Sequence, residues 1–248
     1  MAPLHHGHEF SLFFDSAQDI AVHDSAKTIT IISPELIHRI TSVLRLKTGE
    51  SIIFFDKIQS LSLTITDIHK KTITCILNER LPIAIPCPSI TLMLPLLERD
   101  ALEEVIYMAV VYGVKTVQLL ISEKSRKIYT QKDHQRLYRI AQAASEQSKQ
   151  FYQPQIEQPV ALQKAILSVE TAYKNYKKLW CDIAGGPILK NRALIAEQES
   201  YLLIVGPEGD FTPEEKILLN PPFTPVKLTN TVLRARDAAS LLMGIVRV

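Results

Sequence analysis

Cysteine is scarce in this chain. Cys75, Cys87 and Cys181 are its only three, far apart in sequence, with no even set for a disulfide framework and no paired spacing for zinc. They read as reduced thiols of a cytoplasmic protein. No apolar run approaches the ~20 residues that a membrane-spanning helix needs, and the start, MAPLHHGHEF, lacks the apolar core of a secretory signal. Neither sign of charge dominates: 28 lysines and arginines against 26 acids leave a formal charge of +2. That is too little to mark a nucleic-acid binder, so any basic surface must come from local segregation. His5, His6 and His8 crowd the start without an acid or cysteine spaced to complete a shell, and no metal is expected.

What is present is an ordinary globular composition, and 248 residues suit two domains that each bury a core. Residues 9–79 are strand-rich: HEFSLFF, KTITII, SIIFF, SLTITDI and TITCIL carry β-branched or aromatic residues. One helix interrupts them, opened by Ser33 and Pro34 and running to about Leu46. A small barrel with one helix fits. Pro82, Pro86 and Pro88 suit neither a central strand nor a helix interior, which divides the chain into a domain of residues 1–80 and another of residues 81–248. Beyond the boundary strands alternate with helices: ITLML, a helix near 98–112, TVQLLI, a helix near 131–150, a helix near 160–177, KLWCDIA, YLLIV, a helix from Pro213, PVKL and a last helix from Arg234. That alternation predicts an α/β domain, a parallel sheet covered on both faces.

The stretch LLIVGPEGDFTPEE, residues 202–215, is a buried strand, a glycine turn and a helix start. Thr212, Pro213 and Glu215 stand where a hydroxyl cap, a first-turn proline and a capping-box acid belong. The glycines match neither a phosphate loop nor a dinucleotide fingerprint. Glu208 and Asp210 would repel a polyphosphate from this helix end. Two readings stand: a structural turn, or a site for a neutral or cationic ligand. Two more loops, DIAGGP (182–187) and LTNTVLR (228–234), leave the carboxyl ends of strands, where open α/β sheets bind ligands.

These residues resemble a known family. GPEG at 206–209 followed by D-F-T-x-x-E, and L-T-N-T-V-L-R at 228–234 leading into the last helix, resemble the carboxy-terminal half of the SPOUT methyltransferases, and within them the ribosomal RNA small subunit methyltransferase E family. The segment from His38 to Leu46, Tyr112-Gly113-Val114, Ser122-Glu123-Lys124-Ser125, and Ala143 to Ser148 followed by Pro154 resemble further elements of that family, in the same order. The resemblance implies a PUA-like β-barrel that binds RNA, a SPOUT domain with a deep trefoil knot, and a homodimer. It implies S-adenosyl-L-methionine as cofactor, held by Ile183 and Ala184, by Val205, Gly206, Pro207, Glu208 and Gly209, and by Leu228, Thr229, Asn230, Val232 and Leu233. The reaction implied is methylation of uridine N-3 in the 16S ribosomal RNA of the small subunit. The chain departs from the family at Asp210, Thr229, Thr231 and Arg236, where glycine, glycine, arginine and glutamate are usual.

Methyl transfer to uridine needs a group that steadies negative charge on the ring and a route for the N-3 proton. Arg234 is the candidate stabiliser, with a phosphate clamp as its other reading. Asp237 is the candidate proton acceptor, with a solvated first-turn acid as its other reading. Arg39, Arg45, Lys124, Arg126 and Lys149 are the candidate RNA contacts. Phe151 and Tyr152 suit either stacking on a base or packing at a subunit boundary. Two other functions stay open: a SPOUT-type RNA-binding protein of ribosome assembly with impaired catalysis, and a methyltransferase acting on another RNA such as transfer RNA.

Overall fold

The computed structural model describes residues 10–15, 18–22, 27–191, 194–195 and 200–247, so the His5, His6 and His8 tract lies outside the described residues. The chain divides into two compact units, residues 1–84 with 146–151, and residues 85–145 with 152–248.

The first unit is a sheet of six strands, β1 (Phe10–Phe13), β2 (Ile20–Val22), β3 (Thr28–Ile31), β4 (Ser51–Phe55), β5 (Gln59–Ile68) and β6 (Ile73–Pro82), ordered β1-β4-β5-β6-β3-β2. Alternation sets its faces: Ile29 and Ile31 of β3, with Leu61, Leu63 and Ile65 of β5, point into a core shared with Leu36 and Ile40. The predicted helix starts as expected at Pro34, but α1 (Pro34–His38) passes at once into a π-helical turn over Arg39–Val43. Among the described residues no ladder joins β1 to β2, so the expected barrel is not closed by strand pairing. Among the described residues β1 and β2 stand at opposite ends of the strand order as its two edges.

Glu146 ties this unit together. Its carboxylate accepts two bonds from the Arg39 guanidinium, at 3.0 and 2.6 Å, and one from the Phe13 amide at 3.0 Å. Its carbonyl accepts from the Ser11 hydroxyl, and Phe151 stacks on Phe55 with ring centroids 4.6 Å apart. The bidentate bond to Glu146 raises the pKa of Arg39 above its already high ordinary value. Arg39→Ala leaves a half-buried carboxylate with one donor, and is expected to lower unfolding stability by about 1–3 kcal/mol in urea denaturation. An unchanged midpoint would show the pair to be solvated surface.

The second unit is an all-parallel sheet of β7 (Ile90–Pro95), β8 (Thr116–Ile121), β9 (Gln155–Ala161), β10 (Tyr176–Pro187), β11 (Ser200–Ile204) and β12 (Thr224–Lys227), ordered β12-β10-β11-β7-β8-β9. The helices are α2 (Arg99–Val111), α3 (Gln131–Ser148), α4 (Leu162–Ala172), α5 (Pro213–Leu219) and α6 (Ala235–Arg247). Strand periodicity assigns them to two faces. Tyr201 and Leu203 of β11 join the core that holds α2, α3 and α6 residues, whereas Leu202 and Ile204 join the one that holds α4 and α5 residues. The helix expected near 160–177 is shorter, and its first residues belong instead to β9. Only Ile156 of that strand is buried, and Pro159 interrupts its pattern, as an edge strand allows. No helix among the described residues is long and apolar enough to cross a membrane.

Candidate active site

Three loops meet at one end of the sheet: an excursion within β10, and the segments that follow β11 and β12. The first begins where Cys181 of β10 pairs with Val226 of β12; the chain leaves the ladder and returns at Gly186, which pairs with Val226 again. Within the excursion one Asp182 carboxylate oxygen accepts from the Ala184 amide at 2.7 Å. Gly185 lies so close to β12 that a Cβ there would stand 2.6 Å from the Pro225 carbonyl carbon and the Val226 nitrogen.

The second loop follows β11. A turn bonds the Asp210 amide to the Pro207 carbonyl at 2.9 Å. Asp210 takes a φ of +59°, the left-handed region that glycine enters freely and aspartate tolerates better than most residues. Its carboxylate accepts from the Phe211 amide at 2.7 Å. The predicted capping box at Thr212 and Glu215 is present, and the second oxygen of Glu215 accepts from the Glu123 amide at 2.8 Å. In the third loop the Thr229 hydroxyl donates to the Thr231 carbonyl at 2.7 Å, closing a tight turn with its own side chain.

Between the loops lies a cleft of about 210 Å³. Ile183, Val205, Val226, Leu228, Val232 and Leu233 supply apolar walls, and Ala235 and Ala238, one turn apart on α6, let the helix approach. Its lining carries three carboxylates, of Asp182, Glu208 and Asp210, and a single ammonium, of Lys227. That balance fits a flat, partly apolar ligand bearing positive charge and disfavours a polyphosphate. Cys181 also lines the cleft, but burial pushes its thiol up to about 12, so it is an inert wall and not a nucleophile. No group of side chains among the described residues is arranged to hold a metal ion.

Nine of the residues expected to hold the cofactor line this cleft: Ile183, Val205, Gly206, Pro207, Glu208, Leu228, Thr229, Val232 and Leu233. Ala184, Gly209 and Asn230 do not. The missing Cβ of Gly209 points toward the aliphatic stem of Lys124, 3.1 Å away, and not into the cleft. Cys181, Asp182, Asp210, Val226, Lys227, Thr231, Ala235 and Ala238 line it without having been expected to hold the cofactor. The small-residue spacing of Ala235 and Ala238 was the one signal that could have found the α6 wall.

Arg234 and Asp237 are exposed at the start of α6, outside the lining. Arg236 bonds Glu104 of α2 at 2.7 Å. The proposed RNA contacts are partly committed within their own units. Lys124 donates to the Gly209 carbonyl at 2.8 Å, and Arg126 lies 3.8 Å from Asp133. Asp133 is held below the usual carboxylate range, chiefly by the Thr130 hydroxyl and then by the Thr130 amide and the Arg126 and Arg99 charges. Arg39 is engaged with Glu146. Arg45 and Lys149 both take a φ of +58°, and Arg45 is exposed.

Residues 85–247 match the RNA methyltransferase domain family. The chain is 27% identical, over 88% of its length and 89% of the relative's, to the ribosomal RNA small subunit methyltransferase E of Rickettsia conorii. Two solved structures share its fold. A ribosomal RNA small subunit methyltransferase E from Neisseria gonorrhoeae, bound to S-adenosyl methionine, matches with a TM-score of 0.77 at 20% identity, over 96% of each chain. A second protein in complex with that cofactor, from Legionella pneumophila, matches with a TM-score of 0.77 at 22% identity, over 96% of this chain and 97% of its own. With two thirds of its residues matched, cleft included, the chain belongs to the RNA methyltransferase domain family.

Proposed function

We propose that the chain is an S-adenosyl-L-methionine-dependent methyltransferase acting on uridine N-3 of small-subunit ribosomal RNA. The observation that carries this reading is the cleft itself: three loops at the ends of parallel strands, apolar walls, and an excess of carboxylates, within a family of RNA methyltransferases. The relative from Rickettsia conorii, matched along nearly the whole chain, supports the ribosomal target.

The residues fit the cofactor. Ile183, Val205, Leu228 and Val232 would wall an adenine ring, the backbone at Gly206 and Leu228 would meet its polar edge, and Glu208 would favour the cationic end. Bound S-adenosyl-L-methionine supplies an electrophilic methyl group on a sulfonium. The chain's own tasks are then alignment and exclusion of water. Arg234 steadies the negative charge that develops on the uridine oxygens, since its planar fork can meet two acceptors. Asp237, three residues further, accepts the N-3 proton. Arg45, Lys124, Arg126 and Lys149 contact the RNA backbone, with Arg39 holding the first unit in shape.

The same reading takes residues 1–80 as a PUA-like RNA-binding domain and residues 81–248 as a SPOUT domain with a trefoil knot, working in the cytoplasm as a homodimer. A second reading, an RNA-binding relative that has lost efficient catalysis, is favoured by Arg236, whose pairing with Glu104 puts a cation where the family usually carries glutamate.

Titration calorimetry tests the cofactor assignment. The purified protein is expected to bind S-adenosyl-L-methionine without added metal, and ATP is not expected to compete. Competition by ATP, or no heat with S-adenosyl-L-methionine, would overturn it.

A further inference from the structure

Lys216, on α5 outside the cleft lining, reaches both acidic loops. Its ammonium stands 3.1 Å from one Asp182 oxygen and 2.7 Å from one Asp210 oxygen, and 5.8 Å from the centre of the Trp180 ring. Each aspartate uses its other oxygen to cap its own loop, Asp182 at the Ala184 amide and Asp210 at the Phe211 amide. Asp182 is 9% exposed, too little for water to replace a lost cation. Trp180 is buried at the base of this arrangement and limits where the lysine can go. Asp210 also lies against Gly206, whose Cβ would stand 3.3 Å from its oxygen, so the carboxylate's place bears directly on the cleft floor.

We propose that Lys216 is a positioning residue for the cofactor cleft: a cationic latch that holds the 182–185 loop against the 206–210 loop through Asp182 and Asp210. One lysine thereby sets the gap between two walls and offsets one of the two carboxylate charges it bridges, so the cleft keeps a net negative charge toward a cationic ligand. The effect on the ligand rests on the proposed cofactor; the link between the loops does not.

Hydrogen exchange on the full chain without cofactor tests the link. Lys216→Met is expected to speed exchange at the Ala184 and Phe211 amides together by roughly tenfold, the effect of losing one charge-assisted contact, with β11 amides unchanged. Lys216→Arg is expected to stay near the parent. Unchanged exchange, acceleration in one loop only, or an arginine variant as loose as the methionine one overturns the latch. Calorimetry then separates the two claims. A parent protein that takes up S-adenosyl-L-methionine and a methionine variant that binds it roughly tenfold more weakly support the positioning role. Equal affinities overturn that role, and a parent that binds none overturns the cofactor reading while the exchange data still decide the latch.

Discussion

Gly185→Ala is expected to lower unfolding stability by about 3 kcal/mol and to abolish cofactor binding. An added methyl would sit 2.6 Å from backbone atoms of Pro225 and Val226, and neither is the free end of a side chain that can swing away. Relief requires β12 to move from β10, which breaks the ladder at Val226 and opens the cleft floor, since Val226 and Lys227 both line it. Gly186→Ala is the control. Nothing lies within 4 Å of the Cβ it would add, so its effect is expected to stay within about 0.5 kcal/mol. Urea denaturation of the two variants checks the pair, and equal midpoints would show that the two strands are not packed this closely.

Arg234→Lys is expected to slow methyl transfer by roughly a hundredfold, the range for loss of one transition-state donor, while keeping cofactor affinity and losing little RNA affinity. Arg234 is exposed just before α6, and its carbonyl accepts from the Ala238 amide at 2.9 Å, which fixes its backbone beside a residue of the cleft wall. Lysine keeps the charge but not the planar fork. Near-normal transfer by the lysine variant at saturating RNA would make Arg234 a phosphate clamp.

The parallel sheet was legible because β11 is apolar without a break from Tyr201 to Ile204, and only a strand covered on both faces needs that. The cap at Thr212 was legible for a similar reason, since hydroxyl, proline and acid each have one task at a helix start. Edge strands were not: β9 buries a single side chain and leaves no apolar period to read. The three loops of the cleft could be found from their glycines and small polar residues, but which of their residues face inward could not. Gly209 and Gly206 are three apart in one motif, yet one faces Lys124 and the other Asp210. The role of Lys216 was also hidden, because it depends on Asp182, 34 residues earlier in the chain. Arg39 showed the same limit: its charge suggested RNA, whereas its partner, Glu146, is 107 residues away.

Single-turnover transfer of labelled methyl from S-adenosyl-L-methionine to undermodified small subunits, followed by mass mapping of the nucleosides, is the decisive measurement for the proposed function. Label is expected in one N-3-methyluridine, with transfer roughly a hundredfold slower for Arg234→Lys. Label in a different nucleoside or only in transfer RNA, or no transfer from a parent protein that binds both cofactor and RNA, would contradict the proposed function.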